Sequence, residues 1–301
     1  MGKNAQRRRG TKEADKQNRC LSPVARGPGP GRDPYRDVKR QLRQEVGFGC
    51  PVADCGRPYL SWHHFDPPWR IEHHHRLEGM IALCLHHAAQ ADNGAFTDDQ
   101  LRELKGGGGA HSDPVHGRFE WLRQDVLVRV GGSFFYQTPV IFQLGSVPCI
   151  WLSRDDRDHL MINFRMPTTS GRPRASIIDN FWSIPRDVEE ISCPPMGRVI
   201  EVAYQNGDKF RAEFFNMNDV EALKARYPKT NVEGWRLEVP FPITVVEVWE
   251  TAAGTQIEFG PNNLRIGHIV WTEGFVGNCQ SAIKMEARDG EIRRLLPAGT
   301  I

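Results

Sequence analysis

The spacing of apolar residues divides the chain into two parts. From about residue 118 onward, the apolar runs are short and rich in β-branched residues, and several alternate with polar residues. Gly, Pro, Asn or Asp usually separates one run from the next, and Asn206-Gly207 is a strong hairpin signal. The clearest runs lie at 125–130, 139–144, 159–166, 198–204, 243–249 and 265–271. This pattern predicts a mainly antiparallel β region, either a sandwich or a curled sheet.

Three shorter segments have the three- and four-residue apolar spacing of α-helices. The first covers about 34–46 and the second 97–105, where Thr97 followed by Gln100 forms a capping-box pattern. The third, 218–227, lies inside the β-rich part and begins with residues that favour a helix N-cap. Helices near the N-terminus followed by many strands predict an α+β fold.

Composition marks the expected boundaries between the parts of the chain. Residues 1–34 are rich in Arg, Gly and Pro and poor in large apolar residues, which predicts a disordered basic arm. A run of four glycines predicts a flexible linker over 106–117. The chain is therefore expected to contain the arm, a small domain at 35–105, the linker, and a β-rich domain at 118–301.

Positive charge is concentrated at the start of the chain. Residues 1–44 contain 13 Lys or Arg and four Asp or Glu, a net charge of +9. Since the whole chain carries +2, the remainder carries −7. A basic arm on a mildly acidic body favours a polyanionic partner, most simply nucleic acid, with Arg7, Arg8 and Arg9 as phosphate contacts. A solubilising tail without a partner is the alternative.

The overall composition narrows the class of protein. The chain is 39% hydrophobic and 25% charged, as expected of a folded soluble protein. No apolar run approaches the ~20 residues of a membrane helix, and the basic start lacks the apolar segment of a secretory signal. We therefore expect a cytoplasmic protein without a membrane partner. Seven cysteines in a reducing compartment favour metal ligation over a disulfide framework.

Seven of the eleven histidines and three of the seven cysteines lie between residues 50 and 87. Cys50 and Cys55 are separated by four residues, and Cys84 and His87 follow about thirty residues later, separated by two. Two such half-sites predict a closed tetrahedral Cys3His zinc site with a structural role. His86 is the alternative fourth ligand.

A pair of histidines follows the first half-site, in the segment LSWHHFD at 60–66. The segment reads as the end of a strand, where adjacent side chains point to opposite faces. One imidazole can then bind a metal while its neighbour removes a proton from water. Those two roles are the requirements of metal-assisted phosphodiester hydrolysis.

Together these residues resemble the HNH endonuclease family. The resemblance covers about 45–105 and rests on Cys50-x4-Cys55, then the WHHFD segment at 62–66, then GMIALC at 79–84 with His87. It implies a small zinc-stabilised ββα-metal fold and hydrolysis of DNA. It also implies that His64 is the general base and that His63 is a ligand of a catalytic Mg²⁺ or Mn²⁺.

Two positions depart from the family's pattern. Gly79 stands where the family typically has an Asn, and Ala88 stands where a third catalytic residue follows the zinc ligand. Three residues can supply the missing metal ligand. They are His75 in the loop after the hairpin strand, His87 if His86 takes the zinc, and Asp92 one helical turn beyond Ala88. His75 and His87 are favoured.

Three functions are compatible with the sequence. The first is a metal-dependent DNA endonuclease whose β-rich domain selects the target or regulates access. The second is a zinc protein that binds nucleic acid without cutting it. The third is a nuclease effector of a defence system, silent until a small ligand or a protein partner occupies the β-rich domain. Loss of cleavage in His64→Ala with zinc retained distinguishes the first from the second.

Overall fold

A computed structural model describes residues 31–107, 114–230 and 239–297. The fold is mixed α+β with mostly antiparallel sheets, as the sequence predicts. Its α-helices are α1 Arg36–Glu45, α2 Leu85–Asp92, α3 Asp98–Gly107, α4 Val220–Arg226 and α5 Asp289–Leu295, and a short 3-10 helix covers Leu77–Gly79.

The strands fall into one small pair and two large sheets. The small pair is β1 Leu60–His64 and β2 Met80–Cys84. The others are β3 Val115–Arg118, β4 Val126–Val130, β5 Ser133–Tyr136, β6 Val140–Leu144, β7 Val147–Arg154, β8 Leu160–Arg165, β9 Ser176–Ile178, β10 Phe181–Ile184, β11 Glu190–Ser192, β12 Val199–Ala203, β13 Lys209–Met217, β14 Ile243–Ala252, β15 Ile257–Phe259, β16 Leu264–Ile266, β17 Ile269–Trp271, β18 Gly274–Gly277 and β19 Ser281–Met285.

The N-terminal unit is built around the antiparallel pair of β1 and β2. Leu60 lies opposite Cys84, and His64 lies opposite Met80. All five residues of β2 are buried, and its apolar side chains join Leu42 of α1 in one core. Burial of such a run supplies the hydrophobic stabilisation of the unit. The pairing brings the first Cys/His half-site, which precedes β1, close to the second, which begins at Cys84, the last residue of β2.

The two large sheets form the β-rich part. One has seven strands in the order β19-β6-β7-β8-β9-β10-β3, and the other has ten strands with the path β11-β12-β13-β14-β15-β16-β17. Most neighbours are antiparallel; β4 with β14, β5 with β18 and β6 with β19 are parallel. Buried apolar side chains from both sheets belong to one core, in which Phe142 and Phe259 meet edge to face.

Several local predictions are confirmed. Gln100 donates its backbone N–H to the Thr97 hydroxyl, and Thr97 donates its own N–H to the Gln100 side chain, which completes the capping box of α3. The Asn206-Gly207 turn joins the paired strands β12 and β13. The apolar run at 265–271 is divided into two paired strands, β16 and β17, because the chain turns at Gly267, whose φ is 60°.

The N-terminal unit contacts the β-rich part through α1, which packs against β11. Arg40 forms an ion pair with Glu189, and Arg43 Nε lies 2.6 Å from a carboxylate oxygen of Glu190. Tyr59 donates its hydroxyl to the backbone carbonyl of Arg118 at 2.7 Å. These contacts hold the two parts against each other within the described residues.

Parts of two predicted segments lie outside the described residues. They are residues 1–30 of the basic arm, which include Arg7, Arg8 and Arg9, and residues 108–113 at the centre of the glycine linker. On either side of the linker centre, α3 extends to Gly107 and β3 begins at Val115. Among the residues described, we find no helix with the length and apolarity needed to cross a bilayer.

Candidate metal centre and histidine site

The two Cys/His half-sites meet at the base of the β1–β2 hairpin. The ligand atoms of Cys50, Cys55, Cys84 and His87 all lie within 4.8 Å of one another. The Cys55 and Cys84 sulfurs are 3.8 Å apart. Two thiolates bound tetrahedrally at about 2.3 Å from one zinc ion have nearly this separation. The four residues therefore form a Cys3His cluster that can hold zinc, as the spacing predicts.

Burial shifts the pKa values of two members of this cluster. Cys50 is fully buried, and burial raises the pKa of its thiol to about 12. Burial, assisted by the charges of His86 and Arg57, lowers the pKa of His87 and so favours the neutral imidazole that binds metals. Cys50 Sγ and Cys84 Sγ lie 3.2 and 3.3 Å from His87 Nδ1.

The choice between the two adjacent histidines follows from helix geometry. Both lie in the first turn of α2, which begins after Cys84. His87 turns its Nδ1 toward the cysteines, whereas His86 is exposed and meets the His87 ring edge to face at 5.1 Å. His87 is therefore the fourth member of the cluster, and it is not available as a ligand of a second metal.

His63 and His64 end β1 and are both buried. His63 Nδ1 lies 3.0 Å from Oδ1 of Asp92, the last residue of α2. Burial lowers the pKa of His63 despite the opposing effect of this carboxylate. An imidazole nitrogen and a half-exposed carboxylate oxygen at this separation can bind the same divalent cation.

His64 has an unusual environment for a buried polar side chain. It is 4% exposed, and within the described part of the chain neither of its ring nitrogens has a hydrogen-bond partner. Trp69 covers it, with ring centroids 4.7 Å apart. Burial, with the charges of His74 and His75, lowers the pKa of His64 to about 4, although a backbone group of His74 lies near enough to oppose this shift. The imidazole is therefore neutral at pH 7.

His74 is a fixed structural neighbour of His64. Its Nε2 donates to the Pro67 carbonyl at 2.9 Å, and its Nδ1 accepts the Arg76 backbone N–H at 3.1 Å, so both nitrogens are engaged. Its ring meets that of His64 edge to face at 5.4 Å. His74 therefore has no free nitrogen for a metal and instead forms one wall around His64.

The structure explains why position 79 is a glycine. A Cβ added to Gly79 would lie 1.8 Å from the Asp66 carbonyl oxygen and 3.0 Å from Cε1 of His74. The backbone is this close because Phe65 and Asp66 both donate their N–H groups to the Gly79 carbonyl. The close contact between the two ends of the loop leaves no room for a side chain.

We predict that Gly79→Asn destabilises the zinc-loaded protein and fails to improve any cleavage activity. The added side chain overpacks the site, which typically lowers the free energy of unfolding by about 1–3 kcal/mol. Denaturant unfolding monitored by circular dichroism measures the change. Gly31→Asn is the matched control, since a Cβ at Gly31 meets nothing within 4 Å. A Gly79→Asn protein that unfolds at the wild-type denaturant concentration would contradict this account.

His75, the predicted second ligand of the catalytic metal, lies on the Trp69 side of His64. Its Nε2 donates to the Gly31 carbonyl at 2.9 Å, and its ring centroid is 6.0 Å from that of His64. In the described part of the chain, the Cys3His cluster is the only group of three or more metal-ligating side chains that converge. His63, Asp92 and His75 therefore do not converge, and the ligand role of His75 stays a prediction.

Asp92 is an alternative ligand in the sequence-based prediction, which favours His75 and His87. The signal for it is its position four residues after Ala88, on the same face of α2.

Neither a protein-family model nor a curated protein nor a solved structure matches this chain.

Proposed function

We propose that this protein is a metal-dependent endonuclease that hydrolyses phosphodiester bonds in DNA. One observation carries the proposal: the buried histidine His64, whose two ring nitrogens have no hydrogen-bond partner among the described residues, adjoins His63 and Asp92, whose Nδ1 and Oδ1 atoms lie 3.0 Å apart. The Cys3His cluster stands at the other end of the same hairpin and supports its geometry. The resemblance of the Cys/His pattern to HNH endonucleases points to the same chemistry.

His64 acts as the general base in this proposal. At pH 7 the imidazole is neutral, as a general base has to be before it takes a proton from the water that attacks the phosphorus. His74 holds it from one side, and the Trp69 ring covers it from another. Because the nitrogens of His64 are buried, the substrate has to shift the loop at 67–76 to admit the water.

His63 and Asp92 would hold the catalytic Mg²⁺ or Mn²⁺. Carboxylate oxygen suits both ions, and imidazole nitrogen is tolerated better by Mn²⁺. When bound, such an ion would supply positive charge to offset the charge that develops on the phosphate oxygens and on the leaving oxygen. Phosphate oxygens and water complete the coordination of Mg²⁺ in many enzymes, so two protein ligands suffice.

The basic arm supplies the contact with the DNA backbone. Arg7, Arg8 and Arg9 would neutralise phosphates without reading sequence. Binding through such contacts weakens as the salt concentration increases, because counterions released from the DNA then enter a solution that already contains more of them and gain less entropy.

We expect Asp92→Ala to raise the Mg²⁺ concentration needed for half-maximal cleavage of plasmid DNA. Loss of a residue that only orients a metal ligand typically weakens metal affinity about 10–100-fold, and loss of a direct ligand should weaken it at least as much. The measurement is a Mg²⁺ titration of the initial nicking rate. Asp98→Ala is the control, because Asp98 is an exposed acid whose charge also acts on His63. Superimposable titrations for wild type and Asp92→Ala would exclude Asp92 as a ligand.

A nucleic-acid-binding protein without catalysis is the second candidate. It is favoured by Gly79 and Ala88, since neither can contribute a catalytic side chain. This candidate predicts DNA binding by a zinc-loaded protein that never cuts, whichever divalent metal is added.

A further inference from the structure

The loop at 67–76, which joins β1 to the 3-10 helix, carries a column of aromatic rings beside His64. The Trp69 ring lies 4.5 Å from the His73 ring at 12° and 5.7 Å from the His75 ring at 17°. The His75 ring, at the inner end of the column, donates a hydrogen bond to the Gly31 carbonyl. His73 is exposed, so the column continues into solvent.

Exposed apolar surface surrounds this column. Tyr35 is 64% exposed and meets the His75 ring edge to face at 5.1 Å. Ile71, at the tip of the loop, is 71% exposed. Large aromatic and aliphatic side chains left in water around a candidate catalytic histidine indicate a binding surface rather than a core.

Exposed arginines lie in and beside the segments that carry the column. Arg32, Arg36 and Arg70 are exposed and make no ion pair with any described residue. The acids Asp33 and Glu72 are paired with Lys39 and Arg76. Arg32 lies close enough to His63 and His64 to lower the pKa of both imidazoles. The surface therefore combines stacking rings with unpaired guanidinium groups.

We propose that this surface binds an unpaired nucleobase of the DNA next to the bond that is cut. The base would stack on the column formed by Trp69, His73 and His75, while Arg32 and Arg70 contact the flanking phosphates. Aromatic rings interleaved with cationic side chains are typical of single-stranded nucleic-acid sites. Bases of an intact duplex are already stacked and cannot enter such a column. The inference rests on the proposed function, and it specifies the substrate as single-stranded or locally unpaired DNA.

The test is a binding measurement that does not depend on cleavage. Full-length protein is titrated into a fluorescently labelled single-stranded oligonucleotide and into its duplex, without added Mg²⁺ or Mn²⁺, and anisotropy gives each Kd. We expect tighter binding of the single strand, and a loss of about 5- to 150-fold in Trp69→Ala, the range for one stacked base. Trp69→Phe, which keeps a ring, should stay within a few-fold of wild type.

Three comparisons separate stacking from effects on folding. Trp271→Ala removes a tryptophan that is 40% exposed on β17 and should leave both Kd values unchanged. His73→Ala changes an exposed residue and should weaken single-strand binding on its own. Quenching of the tryptophan fluorescence by the single strand should be smaller in Trp69→Phe than in wild type.

The outcomes distinguish the inference from the proposed function. Selective loss of single-strand binding in Trp69→Ala and His73→Ala supports the inference even in a protein that never cuts DNA. Equal Kd values for wild type, Trp69→Ala and His73→Ala overturn it even in an active nuclease. Preference for the duplex in wild type also overturns it. Equal or tighter binding of a single-stranded RNA of the same sequence would support the stacking surface and reassign the nucleic acid.

Discussion

Replacing Cys84 with Ser is expected to release zinc and unfold β1, β2 and α2, while the two large sheets stay folded. The reason is the size of the N-terminal unit, whose core is formed by a two-stranded pair and three helices. Structural zinc contributes about 10–16 kcal/mol of binding free energy in small zinc domains, and such domains lose their fold without it. Cys84 also ends the buried strand β2, so its loss acts at the centre of the unit.

Zinc content and hydrogen–deuterium exchange measure these two effects separately. Peptides from 60–92 should exchange rapidly in Cys84→Ser, whereas peptides from β13 and β14 should keep their protection. His86→Ala is the matched control, since His86 neighbours the cluster but is exposed and directed away from it. Zinc retained at one equivalent in Cys84→Ser, or lost in His86→Ala, would contradict the assignment of the four ligands.

His64→Ala is expected to lower the rate of metal-dependent DNA cleavage by about 10²–10⁴-fold, the usual contribution of a general base. The fold should persist, because the His64 nitrogens make no hydrogen bond with any described residue and the ring mainly fills space. Zinc content should remain at one equivalent, because His64 is at one end of β1 and Leu60, the residue opposite Cys84, is at the other.

Single-turnover cleavage with excess protein is the measurement, because it reports the chemical step without product release. His116→Ala is a suitable control, since His116 is an exposed histidine on β3 whose nearest hydrogen-bond partner is the carbonyl of Pro114. Wild-type cleavage rates in a zinc-loaded His64→Ala protein would mean that another group activates the water.

Short-range patterns in the sequence predicted the local elements well. The capping box at Thr97 and the turn at Asn206-Gly207 depend on neighbouring residues only, and both form as expected. The half-site spacings also predicted the Cys3His cluster, because the β1–β2 pairing brings residues thirty positions apart to one point.

Contacts between residues far apart in sequence were beyond the reach of such patterns. The pairing of His63 with Asp92 depends on the packing of α2 against β1, and the ion pair of Arg43 with Glu190 depends on how α1 meets the β-rich part. Gly79 is another example. The resemblance to HNH endonucleases predicts an Asn at this position, whereas the structure places the Asp66 carbonyl and the His74 ring in the space where its side chain would lie.

The most direct measurement is nicking of supercoiled plasmid by the purified, zinc-loaded wild-type protein with Mg²⁺, with Mn²⁺ or without added divalent metal. The proposed function predicts nicked and linear DNA with at least one of the two metals and intact plasmid without them. The proposed stacking surface at Trp69, His73 and His75 binds unpaired bases, so single-stranded circular DNA is tested in the same experiment. Intact plasmid and intact single strands under every condition, from a folded protein with one zinc, would contradict the nuclease and favour a protein that only binds nucleic acid.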